Sequence, residues 1–582
     1  MTSMKSASAA INLPTSGLFK ERRFQTLMEV AFGIFVIGSL IAIIGLPLLF
    51  IGLSSVLNDP FDLASGFSID TLVAVYTSPR IMRSLWQTIW MSVAVGIAAT
   101  AIGGLLAWLV TRFRLPAPGL LEMLVLMPLF MSPLIGVIAW VSLGAPNSGL
   151  INEFIDMAGG PDWMRINIMS VTGIAFVKAA HYIPYGYLFI SSTLRNTDAN
   201  LEEASYVAGG SVPRTAFNIL LPLLRSSTLS SILFISILSS GEFSVSAILG
   251  ARTDFVPLSV HIYESVHGFP QDFSRATAIG TMLIIISVVA FYFYRRSMRE
   301  SQRFVTVSGR GFATRQIDAG AVMPLILVVF AFYTFVTVIL PYGALLFMVF
   351  AKFRTGSLAT TEFNLDTLNM VLQATSVQLA TVNTLIISII VPIVCVFFAL
   401  VLVYANDRLR LKGSEVANYL ASIPIAISAI VFASGIFVVY IYTPLYATIW
   451  LIALGLVANY ITHAIRIVSN GVTQIDRSLE EAASINGASR GTVLRTIVAP
   501  LLRPSVYAAM VMIFVFCVRE VNTAILLYSP NSILLSVLSW NYTSDGNMAA
   551  ASVVGVVQTL LMIIVIVAAR VFFGVKASKS PV

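Results

Sequence analysis

The chain has 582 residues, 57% of them hydrophobic and 11% charged, at a mean hydropathy of +0.89. A soluble domain is about a quarter charged, so this composition excludes a soluble globular protein and reads as an all-α polytopic membrane protein. The net charge of +8 does not argue for a nucleic-acid partner; it is the Lys and Arg excess that cytoplasmic loops carry.

Residues 1–28 form a polar tail with Lys20, Arg22 and Arg23 just ahead of an apolar run at 31–53. No small-residue cleavage site follows a short apolar core, so this run reads as an uncleaved first span rather than a signal peptide. A bilayer-crossing helix needs about 20 apolar residues. Twelve stretches qualify: 29–53, 86–111, 119–143, 169–193, 228–250, 276–295, 321–351, 378–403, 415–441, 445–470, 507–528 and 549–574. Pro133, Pro184 and Pro341 interrupt them, which a membrane bundle tolerates because neighbouring groups satisfy the freed backbone.

With the N-terminus inside, the termini and even-numbered loops, taken with the bordering span-end residues Arg295, Arg466 and Arg570, hold 26 of the 35 Lys and Arg residues and the odd-numbered loops hold 7, leaving Lys178 and Arg519 deeper within spans. The positive-inside rule then places both termini, including the 575–582 tail, in the cytoplasm. The most basic loop lies at 295–315, so 296–320 reads as a cytoplasmic linker between units 29–295 and 321–574. Cys395 and Cys517 sit in separate apolar runs and read as small core residues.

The two units share a repeat. "LEEASYVAGGSVPRTAFNILLP" at 201–222 returns as "LEEAASINGASRGTVLRTIVAP" at 479–500, an offset of 278. At the same offset His181-Tyr182-Ile183 faces Asn459-Tyr460-Ile461, Asp198 faces Asp476, and Glu242 faces Glu520; further on, Leu258-Ser259-Val260 matches Leu535-Ser536-Val537. This is a tandem duplication of a six-span unit, with the copies parallel in the membrane because each has an even number of spans.

Each copy follows the fourth span of its unit, within cytoplasmic loops at 195–227 and 471–505. Asp198 and Asp476 can cap a short helix whose positive end lies near Glu202 and Glu480. Leu201, Ala204 and Ala208, and Leu479, Ala482 and Asn486, recur at helical spacing. Gly209 and Gly487 sit where a helix-ending residue takes positive φ. Ser211 and Ser489 can cap a second helix, and Pro222 and Pro500 mark entry to the next span. A lone hairpin of this kind could simply close the bundle; two copies at one offset point to a paired cytoplasmic partner.

At these residues the chain resembles the binding-protein-dependent ABC permeases, whose cytoplasmic signature is E-A-A, three residues, G, nine residues, I, one residue, L-P. Here it reads Glu203-Ala204-Ser205, Gly209, Ile219, Leu221-Pro222, and again Glu481-Ala482-Ala483, Gly487, Ile497, Ala499-Pro500. Ser205 and Ala499 are the departures. The resemblance covers nearly the whole chain as two fused permease units. It implies a type I importer fold, a coupling helix in each loop seated on one of two cytoplasmic ATPase subunits, an outer solute-binding protein, and a bacterial inner-membrane location. No G-x-x-x-x-G-K-[ST] occurs, so ATP and Mg belong to the partners, and this chain is expected to be no enzyme and to hold no cofactor.

Fused double units with "LEEA" in both loops and "LLYSPNSILLSVLSW" after Glu520 are most similar to ferric-iron permeases, with thiamine and aminoalkylphosphonate permeases as relatives. Glu242 and Glu520 fall about 14 residues into spans five and eleven, roughly 20 Å along a helix. A carboxylate there is costly unless paired or wetted. One reading has the pair facing the translocation path, where oxygen donors suit a hard cation such as Fe³⁺; the other has them capping helices or pairing, for instance with Arg519. Lys178, His181 and His463 are the other polar groups in or near spans, and the lone histidines read as packing residues. His261 and His267, near Tyr263 and Glu264 in an outer loop, lack metal-ligand spacing, so no metal site is expected; that loop could dock a binding protein or lie at the interface. The rival classes are an ion-driven secondary carrier, which needs no cytoplasmic hairpin after the fourth span of each half, and a channel or scaffold, which predicts no ATP-dependent flux.

Overall fold

The computed structural model describes residues 29, 31–197, 202, 204–205, 207–302, 316–351 and 362–573. The N-terminal tail, most of the 296–320 linker and the C-terminal tail lie outside them. Among the described residues the elements are helical apart from one antiparallel hairpin, β1 (Leu57–Asp59) and β2 (Asp62–Phe67), in the loop after the first span.

The first half comprises α1 (Gly33–Ser54), α2 (Pro79–Arg112), α3 (Pro118–Phe130), α4 (Pro133–Gly144), α5 (Val171–Arg195), α6 (Ala216–Gly241), α7 (Ser244–Gly250), α8 (Leu258–His267) and α9 (Phe273–Gln302). The second repeats the set: α10 (Gly320–Phe350), α11 (Thr375–Leu409), α12 (Ser414–Ala426), α13 (Ala429–Tyr440), α14 (Ile449–Thr473), α15 (Arg477–Ile485), α16 (Gly491–Arg519), α17 (Ala524–Leu527), α18 (Leu535–Ser544) and α19 (Met548–Phe573), with α15 being the helix of the second repeated loop.

Among the described residues nine helices are long and apolar enough to cross a membrane, and two bent pairs raise the number to 11. The expected fourth span, α5, is a 25-residue helix that falls outside this set; it carries Lys178 and His181 in its middle. Its equivalent, α14, has the same length and qualifies; with α5 the twelve expected spans are all represented by helices.

The boundaries differ from the sequence reading in two ways. Spans three and nine are not straight: α3 and α4 meet at 93°, and α12 and α13 at 117°. Extended Ser132 and Ser428 make the bends, and Pro133 cannot donate the bond that would carry α3 onward. Spans five and eleven begin earlier than expected and stop at Gly241 and Arg519. Both are entered through a wide turn, Ala216–Leu220 and Leu494–Val498. Pro222 and Pro500 follow directly, and their missing N–H groups favour such widening.

The halves exchange their first spans. α1 packs between α9 of its own half and α13 of the other; α10 packs between α19 and α4. Tyr440 donates to the Ala42 carbonyl at 2.8 Å and Tyr333 to the Val125 carbonyl at 2.9 Å. The last spans cross the bundle as well, with glycine at both contacts. A Cβ on Gly280 would lie 3.1 Å from Val431, and one on Gly555 would lie 3.3 Å from Ile135. Lipid offers no hydrophobic drive for helix association, so such close backbone approach is how membrane helices gain packing energy.

Candidate functional site

The repeated loops form two helix–glycine–helix knobs on the face where the positive-inside count puts the cytoplasm. In the second, the Asp476 carboxylate accepts from the Ser478 N–H at 2.9 Å and starts α15. The helix ends at Asn486, Gly487 follows at φ +82°, and Ser489 Oγ accepts from the Thr492 N–H at 3.2 Å to open the next helix. In the first, Gly209 also has φ +82°, and Ser205 and Thr215 hydroxyls lie 2.7 Å apart across the turn. Asp198, Leu201 and Glu203 lie outside the described residues.

The knobs expose apolar groups on a polar side of the molecule. Val207, Leu479 and Ile485 stand in solvent beside exposed Ala204, Glu481 and Ala482. Ile219 and Ile497 are half-buried at the knob bases; Pro222 is exposed and Pro500 half-buried. An open groove of about 710 Å³ runs beside the second knob, lined by Arg408, Arg410, Asp476 and Arg477 among others.

Each knob is tied to its own half by a carboxylate one position before the signature glutamate. Glu202 Oε1 lies 2.7 Å from Arg112 Nη2, both side chains buried. Glu480 Oε1 lies 3.0 Å from Arg408 Nε, and Arg408 Nη2 also donates to the Val472 and Ile475 carbonyls. Burial pushes the Glu202 carboxyl above its ordinary range, against the opposing pull of Arg112. The sequence reading missed both arginines. Their signal was present: Arg112-Phe113-Arg114 and Arg408-Leu409-Arg410 end the second span of each half. The segment entering the second half docks here too, Ile317 N–H donating to the Arg112 carbonyl at 2.7 Å and Arg114 N–H to the Ile317 carbonyl at 3.0 Å.

Between the halves lies a cavity of about 390 Å³. The breaks after α6 and α16 and the polar faces of α5 and α14 line it, together with the bends at Ser428 and Pro133. Glu242 and Glu520 both border it, but neither sits inside a helix as expected. They occupy the breaks with nearly the same backbone, φ −77° and ψ 118° against φ −75° and ψ 122°. Each carboxylate caps the short helix beyond: Glu242 Oε1 accepts from the Val245 N–H and the Ser244 hydroxyl, and Glu520 Oε1 from the Thr523 N–H at 3.0 Å. The capping reading therefore holds for one oxygen of each.

The surrounding side chains divide by half. Tyr182 and Tyr460 are equivalent in the repeat; His181 corresponds to Asn459, Tyr185 to His463, and Gly241 to Arg519. Arg519 does not reach Glu520 in the ion pair the sequence had allowed. Its Nη1 donates to the Leu129 carbonyl at 2.5 Å, Nη2 to the Tyr185 hydroxyl at 3.4 Å, and the guanidinium lies 5.0 Å from the Phe516 ring centre. His261 is buried between Glu264 and Ser84, and Tyr263 stacks on His267 and accepts from Trp540 Nε1, so these residues of α8 pack inward. Cys395 and Cys517 are buried and unbridged.

Residues 403–575 match a family described as "Binding-protein-dependent transport system inner membrane component". The ferric transport system permease protein FbpB of Actinobacillus pleuropneumoniae is 25% identical over 540 residues, covering 91% of this chain and 77% of that protein. The Fe(3+)-transport system permease protein FbpB 2 of Haemophilus influenzae is 25% identical over 515 residues, covering 88% and 93%. A shorter relative, the sn-glycerol-3-phosphate transport system permease protein UgpA of Yersinia enterocolitica, is 26% identical over 253 residues, covering 41% of this chain and 84% of its own.

Proposed function

We infer that this chain is a fused double-unit permease of the binding-protein-dependent ABC importer class and forms the membrane pathway of an ATP-driven ferric-iron importer. Iron would arrive on an outer solute-binding protein and leave into the cytoplasm. The ATP hydrolysis would occur on two separate ATPase subunits, one per knob. On this reading Glu203, Ala204, Gly209, Ile219 and Pro222, with Glu481, Ala482, Gly487, Ile497 and Pro500, form the coupling surfaces, and both termini lie in the cytoplasm.

The observation that carries the reading is the doubled knob: the same glycine turn, at φ +82° in both copies, presented with exposed apolar groups beneath a shared cavity. A secondary carrier has no use for two such knobs. The iron assignment draws its support from the two full-length relatives named for ferric transport and from the oxygen-bearing side chains around the cavity, which suit a hard cation.

The test is ATP-dependent uptake of radioactive Fe³⁺ in vesicles carrying the chain with its binding protein and ATPase. Uptake that needs all three components is expected. Uptake driven by a proton or sodium gradient without ATPase would overturn the importer class. ATP-driven uptake of another solute with no iron would overturn the cargo alone. Glu481→Lys should reduce ATPase co-purification more than Glu481→Ala, since it adds repulsion to a lost contact; equal recovery would remove Glu481 from the contact.

A further inference from the structure

Glu242 and Glu520 are equivalent in sequence and backbone, and each spends one oxygen on a helix cap. They part at the second oxygen. Glu242 Oε2 faces Lys178 Nζ at 3.4 Å; both side chains are 3% exposed, and the same ammonium donates to the Ser239 and Glu242 carbonyls at 3.2 and 3.0 Å. A carboxylate and an ammonium held in one dry pocket cancel each other's charge toward the cavity. In the second half Leu456 stands where Lys178 would be, and it is fully buried. Glu520 Oε2 instead accepts from the Tyr460 hydroxyl at 2.5 Å, on the half-exposed wall of the cavity. Arg519, the nearest cation in sequence, is drawn aside to Leu129, Tyr185 and Phe516.

We propose that Glu520 is the single cargo-facing carboxylate of the path, with the Tyr460 hydroxyl as its partner, and that Glu242 is a structural carboxylate neutralised by Lys178. The site takes a hard metal cation through carboxylate and phenolic oxygen, and this rests on the ferric-iron reading above. Two features make the hold transient. Only one carboxylate meets the cation, and the tethered Arg519 guanidinium leaves the cavity wall near neutral overall. Conduction requires binding that is favourable yet released, and a pair of uncompensated carboxylates would hold a trivalent ion too firmly to pass it on.

The experiment compares Glu520→Gln with the charge-pair deletion Lys178→Met/Glu242→Gln. It uses purified full-length chain titrated with Tb³⁺, whose tyrosine-sensitised emission reports a hard cation near a phenol, and Fe³⁺ uptake in the reconstituted system. Glu520→Gln is expected to weaken Tb³⁺ binding and lower Fe³⁺ uptake by about ten-fold or more each. The charge-pair deletion is expected to keep both within about two-fold, because removing both charges strands neither and the Gln carbonyl keeps the capping bond to Val245 N–H. Glu520→Asp, which keeps the charge, should recover part of the loss. If Glu520→Gln does not yield monodisperse protein, Tyr460→Phe replaces it and must weaken uptake without lowering thermal stability. Wild-type uptake in Glu520→Gln, or equal loss in the charge-pair deletion, overturns the proposal while leaving the importer reading intact. A wild-type chain that binds no Tb³⁺ and moves an organic solute overturns the iron reading and the proposal together.

Discussion

Arg112 and Arg408 do the same work with different degrees of shelter. The Arg112 and Glu202 side chains are 2% and 8% exposed, those of Arg408 and Glu480 9% and 17%. Removing one partner of a sheltered pair leaves the other charge stranded, at a cost of about 3 kcal/mol or more. Arg112→Met should therefore loosen the first knob more than Arg408→Met loosens the second, read as faster amide exchange across 204–220 than across 477–498. Adding Glu202→Met to Arg112→Met should restore much of the protection; no restoration would mean that the arginine side chain holds the knob by packing rather than through the charge pair. Asp476 gives a pH-dependent counterpart. Its hydrogen bond to the Ser478 N–H holds the carboxyl below its ordinary range. A depressed folded-state value means that the cap contributes fully above the ordinary carboxylate range and is lost as pH falls through the lowered value. Exchange protection in α15, taken relative to the free-chain rate at each pH, should fall on acidification, and Asp476→Asn, which keeps an accepting oxygen, should flatten that dependence.

At the scale of elements, the glycine turns are the sharpest test of the knobs. No heavy atom lies within 4 Å of a Cβ built on Gly209 or Gly487, so substitution meets no clash and its cost is conformational. A left-handed backbone costs an L-residue about 1–2 kcal/mol, and a β-branched one more. Gly487→Ala should be tolerated with reduced transport. The Gly209→Val/Gly487→Val pair should insert normally yet uncouple ATP hydrolysis from uptake; normal transport in that double variant would show that the turn geometry is dispensable. These turns were legible in the sequence because a doubled motif fixes spacing, and spacing fixes a helix–turn–helix. The helix breaks at Glu242 and Glu520 were not. Both lie in apolar stretches that read as continuous spans, and hydropathy carries no mark for a chain that turns extended for one residue. The bends at Ser132 and Ser428 escaped for the same reason, although Pro133 was visible. The ties from Arg112 to Glu202 and from Arg408 to Glu480 join residues far apart in sequence, a separation that no local pattern bridges.

At the scale of the whole molecule, the exchange of first spans makes each half incomplete without the other. α1 covers α13, and α10 covers α4, through contacts that include Tyr440 to Ala42 and Tyr333 to Val125. A half expressed alone would leave those faces to lipid, which offers no equivalent of the lost tyrosine hydrogen bonds. Cutting the chain within 303–315 and co-expressing the pieces should give a co-purifying pair with retained uptake, while either piece alone should be degraded. Stable accumulation of one piece by itself would show that the exchanged span contributes little. Gly555→Leu should separate the pieces more readily than a lipid-facing substitution such as Ile564→Leu, since Gly555 meets Ile135 of the other half and Ile564 is exposed.

Joining the halves in one chain also releases them from mirroring. In a symmetric pair of identical subunits every change is made twice, so an arginine in place of Gly241 would set two guanidiniums across one narrow cavity, and a lysine at position 178 would be matched by its twin. Here Lys178 has Leu456 as its counterpart, and Arg519 has Gly241. A single chain thus lets each wall change separately. One half can drift toward a rigid, electrically silent frame while the other keeps the chemistry, and a cargo with no twofold symmetry of its own can be met by a path that has none either.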